Sequence, residues 1–246
     1  MKRLSFFFLS SCLLISVSAQ SGVTHKSYDE LLQEHVDEEG LVNYKGLLED
    51  RAKLKAYLEM LEENPPKDEW TKDEKLAYWI NAYNAFTLEL ILTHYPVKSI
   101  KDIGSTIKIP FVSTAWDVKF IYIGGEEYDL NNIEHGIIRK EFDEPRIHFA
   151  LVCAAISCPK LQNSAYLPEK LDEQLARASI EFLADTEKNE FKSSKKAVVS
   201  KLFNWYGGDF NNDGTLIEFL NQYAPIKLDT NAKISWKDYD WALNEQ

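Results

Sequence analysis

The segment TKDEKLAYWINAYNAFTLELILTHY, residues 71–95, constrains the fold more than any other part of the sequence. Between Leu76 and Leu92 its apolar residues extend almost all the way round a helix, whereas a helix on a protein surface keeps a broad polar face. We therefore expect the rest of the domain to enclose this helix. Thr71 and Glu74 have the spacing of a capping box, which places the start of the helix at Thr71.

Elsewhere the hydrophobic pattern changes repeatedly between helix and strand. Start and stop signals predict further helices over 27–40, 47–64, 131–142, 167–185 and 215–223. Alternating patterns predict hairpins within 116–130 and 192–199, and single strands over 146–153 and 233–236. Because helices and strands are mixed without a regular βαβ alternation, we predict an α+β fold with helices around a small, largely antiparallel sheet.

The N-terminus has the features of an export signal. A basic start precedes an apolar stretch that ends in Ser18 and Ala19, so residues 1–19 are predicted to be a secretory signal peptide. Residues 20–69 then form a helical lead, and 70–246 form a single α+β domain. We expect a periplasmic or extracellular protein.

Two other interpretations of the N-terminus are disfavoured. Cys12 could be a lipidation site, but the apolar run continues beyond it through Leu13, Leu14 and Ile15, where a lipidated chain turns polar. The same run is shorter than the roughly 20 apolar residues that a spanning helix needs. We therefore expect no permanent membrane span.

The acidic composition limits the partners. The formal net charge is −11, and cleavage after Ala19 removes two basic and no acidic residues, which gives −13. Such a chain repels phosphate backbones and anionic membrane surfaces. We expect no nucleic-acid partner, and a small molecule, a peptide or a glycan stays open as the ligand.

The run IHFALVCAAISCPKL, residues 147–161, holds the two cysteines of the exported chain. An oxidising compartment favours a disulfide between Cys153 and Cys158. Alternatively, Cys158 is a nucleophile with His148 or His135 as its base. A zinc site would use both cysteines, but the second pair of ligands is missing, so we expect no metal and no cofactor.

The predicted strand over 146–153 distinguishes the two cysteines by their positions relative to His148. His148 and Cys153 are five residues apart, so on a regular strand they would lie on opposite faces. A pair between His148 and Cys158 would need the chain to fold back.

Two further groups of polar residues are candidate site residues. Asn81 and Asn84 share one face of the enclosed helix and must find hydrogen-bond partners, either by pinning backbone or by lining a pocket with Tyr83. Glu134, His135, Arg139, Arg146 and His148 follow within fifteen residues. Arg146 beside His148 could orient a carboxylate or an oxyanion; alternatively it forms salt bridges with Glu134 and Asp143.

The stretch DFNNDG, residues 209–214, matches the first half of a calcium loop. Counting from Asp209, position twelve is Leu220, where such a loop needs a bidentate glutamate. We therefore predict a turn before the next helix.

Three blocks, YWINAYNAFTLELI, LNNIEHGIIR and RIHFALVCAAISCPKL, together resemble the family catalogued as domain of unknown function 547, over roughly residues 70–185. The resemblance implies that the polar residues of these blocks are a hallmark of the family. They are Asn81, Tyr83, Asn84, Glu134, His135, Arg139, Arg146, His148, Cys153, Ser157, Cys158 and Pro159. The family has no agreed activity, so the resemblance implies no reaction.

Two functions fit these observations. The first is a binding or structural domain of the cell envelope, with its cysteines joined and its polar cluster buried. The alternative is a cysteine-dependent hydrolase or acyl transferase that uses Cys158 and a histidine base. The sequence leaves open whether the protein is an enzyme.

Overall fold

The structure is a computed structural model that describes residues 23–104 and 114–246. The predicted signal peptide and Cys12 lie outside the described residues. Within the described part of the chain, no helix is long and apolar enough to cross a membrane.

Three helices precede the enclosed one: α1 (Lys26–His35), α2 (Tyr44–Glu49) and α3 (Arg51–Glu63). The predicted helix over 27–40 ends earlier, because the chain turns at Gly40 (φ +81°) and pairs Val36 with Val42. The predicted helix over 47–64 is two helices that meet at Asp50. Asn43 caps α2 through its side chain.

Helix α4 (Lys72–His94) confirms the central prediction. The capping box between Thr71 and Glu74 is present, and nearly every residue from Leu76 to Leu92 is buried. The exception is Glu89, which lies at the edge of the core and forms an ion pair with Arg51. Apolar residues of α1, α2, α3 and the 147–166 region pack around this helix in one core.

The strands form two small sheets. One is the predicted hairpin β1 (Ile121–Ile123) and β2 (Glu126–Tyr128), which turns at Gly124 and Gly125. The other has the order β3 (Glu190–Ser193), β4 (Lys196–Val199), β5 (Lys233–Trp236). The prediction of an α+β fold is confirmed. The strand β5 pairs parallel to β4 because a long helical connection separates them in the chain.

The predicted strand over 146–153 is wrong. A 3₁₀-helix (Pro145–Phe149) replaces its first half, and an irregular segment follows. The apolar run is buried, but its backbone groups form hydrogen bonds with a side chain of α4 and not with a neighbouring strand. Asn84 bonds Ala150 and Val152 where a neighbouring strand would otherwise pair.

The helices that follow the hairpin complete the fold. A π-helix (Asn132–Ile138) continues into α5 (Arg139–Glu141), and α6 (Leu171–Ala184) follows a 3₁₀ turn at Pro168. Then come α7 (Leu202–Trp205), α8 (Gly207–Phe210) and α9 (Leu216–Tyr223). Phe149 joins the second apolar cluster, which these helices form with α6.

The last ten residues return to the cysteine loop. The backbone N–H groups of Ile156 and Ser157 donate to the carbonyls of Ala242 and Asp240. Asn244 continues the path by pairing with Ala154 and Val42. This C-terminal segment, residues 237–246, therefore joins the cysteine loop to the N-terminal helices.

Candidate functional site

A pocket of about 220 Å³ lies between the π-helix, the cysteine loop, α7 and the C-terminal segment. It gathers side chains from residue 83 to residue 241, and six of its fourteen lining residues are Trp or Tyr. The lining residues are Tyr83, Trp116, Asn131, Glu134, His135, His148, Leu151, Cys153, Cys158, Leu202, Trp205, Tyr206, Tyr239 and Trp241.

The π-helix sets the positions of Glu134, His135 and Arg139. Its wider turn lets the backbone N–H of Arg139 bond the carbonyl of Glu134, five residues earlier. Glu134 accepts a hydrogen bond of 3.1 Å from the Tyr83 hydroxyl. Arg139 instead turns towards His135, with 2.9 Å between Nη1 and Nδ1.

Asp209 connects two of the predicted site residues, although its motif was interpreted as a turn. Its carboxylate accepts two hydrogen bonds from Arg139, at 2.6 and 2.8 Å, and one of 2.7 Å from His148 Nε2. Partial burial opposes ionisation, but the bonds from His148 and Arg139 outweigh it and hold the pKa of Asp209 well below its usual range.

These contacts fix the tautomers of both histidines. Arginine can only donate, so Nδ1 of His135 is an acceptor and its proton is on Nε2. The Asp209 carboxylate can only accept, so His148 also carries its proton on Nε2. The lone pair of His148 is therefore on Nδ1. Its ring stacks on Tyr206 with 3.9 Å between centroids, and burial lowers the pKa of His148.

The cysteine loop brings its two sulfurs together. Ala154 has φ +55°, a left-handed conformation that turns the chain directly after Cys153. The Cys158 sulfur then accepts hydrogen bonds from the backbone N–H and the thiol of Cys153, each at 2.9 Å. Both cysteines are free. The expected disulfide is therefore not formed in this structure.

The two thiols differ in acidity. Burial opposes ionisation of Cys158, but hydrogen bonds from Cys153 and Tyr239 outweigh it and lower the pKa of Cys158. The hydrogen bond to Cys158 and burial raise the pKa of Cys153 well above its ordinary value. The arrangement favours a Cys158 thiolate beside a Cys153 thiol.

The sequence predicts that His148 and Cys153 lie on opposite faces of a strand. This prediction is wrong, because residues 146–153 form no strand and both side chains line the same pocket. Within the described residues, no hydrogen bond joins an imidazole to either sulfur. His148 and Cys158 thus share the pocket without a hydrogen bond between them.

Asn81 and Asn84 lie behind the pocket and do not line it. Asn81 bonds the backbone N–H and carbonyl of Tyr166, at 2.9 and 2.7 Å. Asn84 bonds Ala150 and Val152 in the same way, each at 2.9 Å. Each amide bonds backbone through both its nitrogen and its oxygen, so the two asparagines position the segments that carry the site.

Arg146 also lies outside this pocket. Because residues 145–149 form a 3₁₀-helix, Arg146 does not share a strand face with His148. It pairs with Glu144 at 2.6 Å and with Asp172 at 2.8 Å. The expected partners Glu134 and Asp143 are therefore wrong.

One cluster of possible metal ligands is present among the described residues, away from the pocket lining. It consists of Glu34, His35 and Asp50. Lys53 forms ion pairs with both carboxylates, at 3.6 and 2.9 Å, and the carboxylate of Asp50 accepts a hydrogen bond of 3.0 Å from His35 Nε2. Lys53 therefore compensates part of the negative charge of the two carboxylates.

The fold and the pocket define an α+β protein in which thiol, imidazole and carboxylate groups meet in an aromatic cavity. A family model described as "Protein of unknown function, DUF547" matches residues 67–183. This match confirms, for that segment, the resemblance predicted from the three sequence blocks. No curated protein and no solved structure matches the chain.

Proposed function

We propose that this protein is an exported enzyme that binds a small acyl substrate in the aromatic pocket and attacks it with Cys158. The proposed reaction class is hydrolysis or acyl transfer through a thioester. The observation that carries the proposal is the pair of hydrogen bonds, each 2.9 Å long, that Cys158 receives from Cys153. They stabilise a thiolate, which is the nucleophilic form of cysteine.

The first half of the reaction needs only groups of the cysteine loop. The Cys158 thiolate attacks the acyl carbon and the leaving group departs, which removes the negative charge from sulfur. The hydrogen bond to that sulfur is the first reason for the high pKa of Cys153, followed by burial and by the charge itself. Acylation therefore makes the Cys153 thiol more acidic, and it can supply the proton that the leaving group takes.

The second half needs a base. Burial lowers the pKa of His148, so its imidazole is neutral. The hydrogen bond to Asp209 keeps the imidazole proton on Nε2. Nδ1 is thus free to accept a proton from the water or alcohol that attacks the thioester. Cys158 leaves as the thiolate, and the proton on His148 passes through solvent to Cys153, which restores the starting state. Arg139 holds Asp209 from the other side and keeps the carboxylate ionised.

Alkylation tests the thiolate. The mature chain, residues 20–246, is treated with iodoacetamide over a pH series and analysed by intact mass. We expect one adduct, on Cys158, with a midpoint below the ordinary thiol pKa of about 8.5. Cys153→Ala should raise that midpoint, whereas Cys153→Ser, which keeps an O–H donor, should raise it less.

Acylation tests the reaction. With p-nitrophenyl acetate, the mature chain should gain one acetyl group on Cys158 and release it again. Cys158→Ser should abolish the adduct, and His148→Gln should let it accumulate, because Nδ1 is lost. Thiols that alkylate with an ordinary midpoint and form no acetyl adduct would contradict the proposal.

A binding function without catalysis is the second candidate. Three indole and three phenol rings line the pocket, namely Trp116, Trp205, Trp241, Tyr83, Tyr206 and Tyr239. Aromatic faces of this kind bind sugars and other small ligands through apolar contact. A ligand that binds with equal affinity to the wild type and to Cys158→Ser, with no acetyl adduct on either, would favour this candidate.

A further inference from the structure

We propose that Cys153 and Cys158 are a reversible dithiol–disulfide pair that exchanges with a low-molecular-weight disulfide entering the pocket. Cys158 is the attacking sulfur and Cys153 the resolving sulfur. The proposal rests on the reactivity of Cys158 that the proposed function also uses, but it adds a second, redox activity.

The geometry of the loop supports this activity. The two sulfurs are 2.9 Å apart without a bond. A disulfide needs about 2.05 Å, so the sulfurs must approach each other by only about 0.9 Å. The left-handed Ala154 and the hydrogen bonds from Ile156 and Ser157 to the C-terminal segment hold the loop in the conformation that gives this approach.

The division of roles follows from the hydrogen bonds. Cys158 accepts from Cys153 and is the better thiolate, so it attacks one sulfur of the external disulfide and releases the first thiolate. Cys158 is then a mixed disulfide and no longer accepts a hydrogen bond. Cys153 loses its proton to the released thiolate, attacks the Cys158 sulfur and releases the second thiolate. Two electrons pass from the dithiol to the external disulfide, which becomes two thiol equivalents.

Tyr239 assists the second step. Its hydroxyl oxygen is 3.3 Å from the Cys153 sulfur, and burial and the nearby cysteines raise its pKa well above the ordinary value. It therefore keeps its proton and can donate a hydrogen bond to Cys153 as that thiol ionises. Tyr239 is a positioning residue in this scheme.

Oxidation would also stop acyl transfer. The sulfur that attacks the acyl carbon is the sulfur that the disulfide binds, so the oxidised pocket has no nucleophile. The two activities are mutually exclusive states of one loop.

The experiment uses oxidised glutathione with the reduced mature chain, quenched in acid and analysed by intact mass. Wild type should lose the mass of two hydrogen atoms with no lasting adduct, and dithiothreitol should restore it. Cys153→Ser should accumulate one glutathione on Cys158. Cys158→Ser should react at least about tenfold more slowly, and Tyr239→Phe should lengthen the lifetime of the wild-type mixed disulfide.

Three results would overturn the redox pair: no adduct on Cys153→Ser, a wild type that stops at the adduct, or equal rates for the two serine variants. Thermal unfolding of each variant establishes that it is folded. A Cys158 that forms an acetyl adduct but no disulfide refutes only the redox pair. A disulfide without an acetyl adduct refutes only the acyl-transfer proposal.

Discussion

Side chains from distant parts of the sequence set the protonation of the pocket. Arg139 lies between His135 and Asp209 and donates to both, which makes Nδ1 of His135 an acceptor and keeps Asp209 charged. Asp209 in turn fixes the proton of His148. The Arg139 guanidinium thereby acts on His135 directly and on His148 through Asp209. Of these two pocket histidines, only His148 has an Nδ1 without a hydrogen-bond partner among the described residues.

A buried histidine outside the pocket makes stability depend on pH. His25 is buried, its Nδ1 forms a hydrogen bond of 2.7 Å with the Tyr57 hydroxyl, and burial lowers its pKa to about 4. The unfolded chain binds this proton near pH 6.5, so stability falls as pH drops from about 6.5 to about 4. The loss is about 3 kcal/mol at the lower end.

The test compares urea unfolding of wild type and His25→Asn from about pH 7 to about pH 4. Asparagine keeps an acceptor for Tyr57 but does not titrate in this range. Wild type should lose about 3 kcal/mol more than the variant across the series. His94→Asn, at an exposed histidine, is the matched control. Parallel curves for wild type and His25→Asn would refute the assignment.

At the level of single residues, the sequence predicted a site from residues that the structure brings together only in part. Tyr83, Glu134, His135, His148 and the two cysteines line one pocket, and their function stays a prediction. Asp209 was missed because it is 61 and 70 residues from the two side chains it binds. No local pattern reports a contact across such a distance.

At the level of elements, the sequence predicted helices well and the central segment poorly. Helix α4, its capping box and the hairpin were found because each has a local signal. The run from residue 146 to 153 has apolar and β-branched residues, which are typical of a strand. Its actual conformation depends on Asn84, which bonds the backbone that a strand would have used. The π-helix has no distinctive pattern of its own, because Asn132–Ile138 reads as an ordinary helix.

Asn84 should therefore be important for stability. Asn84→Ala leaves the carbonyl of Ala150 and the N–H of Val152 buried without partners, at about 1–3 kcal/mol each. We expect a loss of about 2–5 kcal/mol in the free energy of unfolding, measured in urea. Asn204→Ala, at an exposed position of α7, should change stability by less than about 0.5 kcal/mol. Equal losses for both variants would contradict the role of Asn84.

At the level of the whole molecule, the residues that line the pocket come both from the segment that matches the family model and from the chain beyond it. Residues 67–183 supply the cysteines, both histidines and Glu134. The opposite wall comes from beyond that segment, with Leu202, Trp205, Tyr206, Tyr239 and Trp241. The sequence blocks therefore identified the reactive groups, whereas the wall that encloses them depends on how the rest of the chain folds back.

Removal of residues 237–246 tests the dependence on that wall. A chain shortened after Trp236 loses Tyr239 and Trp241 from the pocket, together with the acceptors for Ile156 and Ser157. We expect a loss of about 3–5 kcal/mol in the free energy of unfolding. We also expect both cysteines, not only Cys158, to react with iodoacetamide, because Cys153, already partly exposed, loses its contact with Tyr239 and the wall beside it.

A point variant distinguishes the loss of the pocket wall from a general loss of stability. Asn244 bonds the Tyr44 hydroxyl at 2.7 Å and the Gly40 carbonyl at 3.2 Å, and its side chain is not part of the pocket lining. Asn244→Ala should lower stability by about 1–3 kcal/mol while Tyr239 and Trp241 stay in the chain and Cys158 keeps its single adduct. If the shortened chain kept wild-type stability and a single adduct, the C-terminal segment would be dispensable, and the pocket would be complete without it.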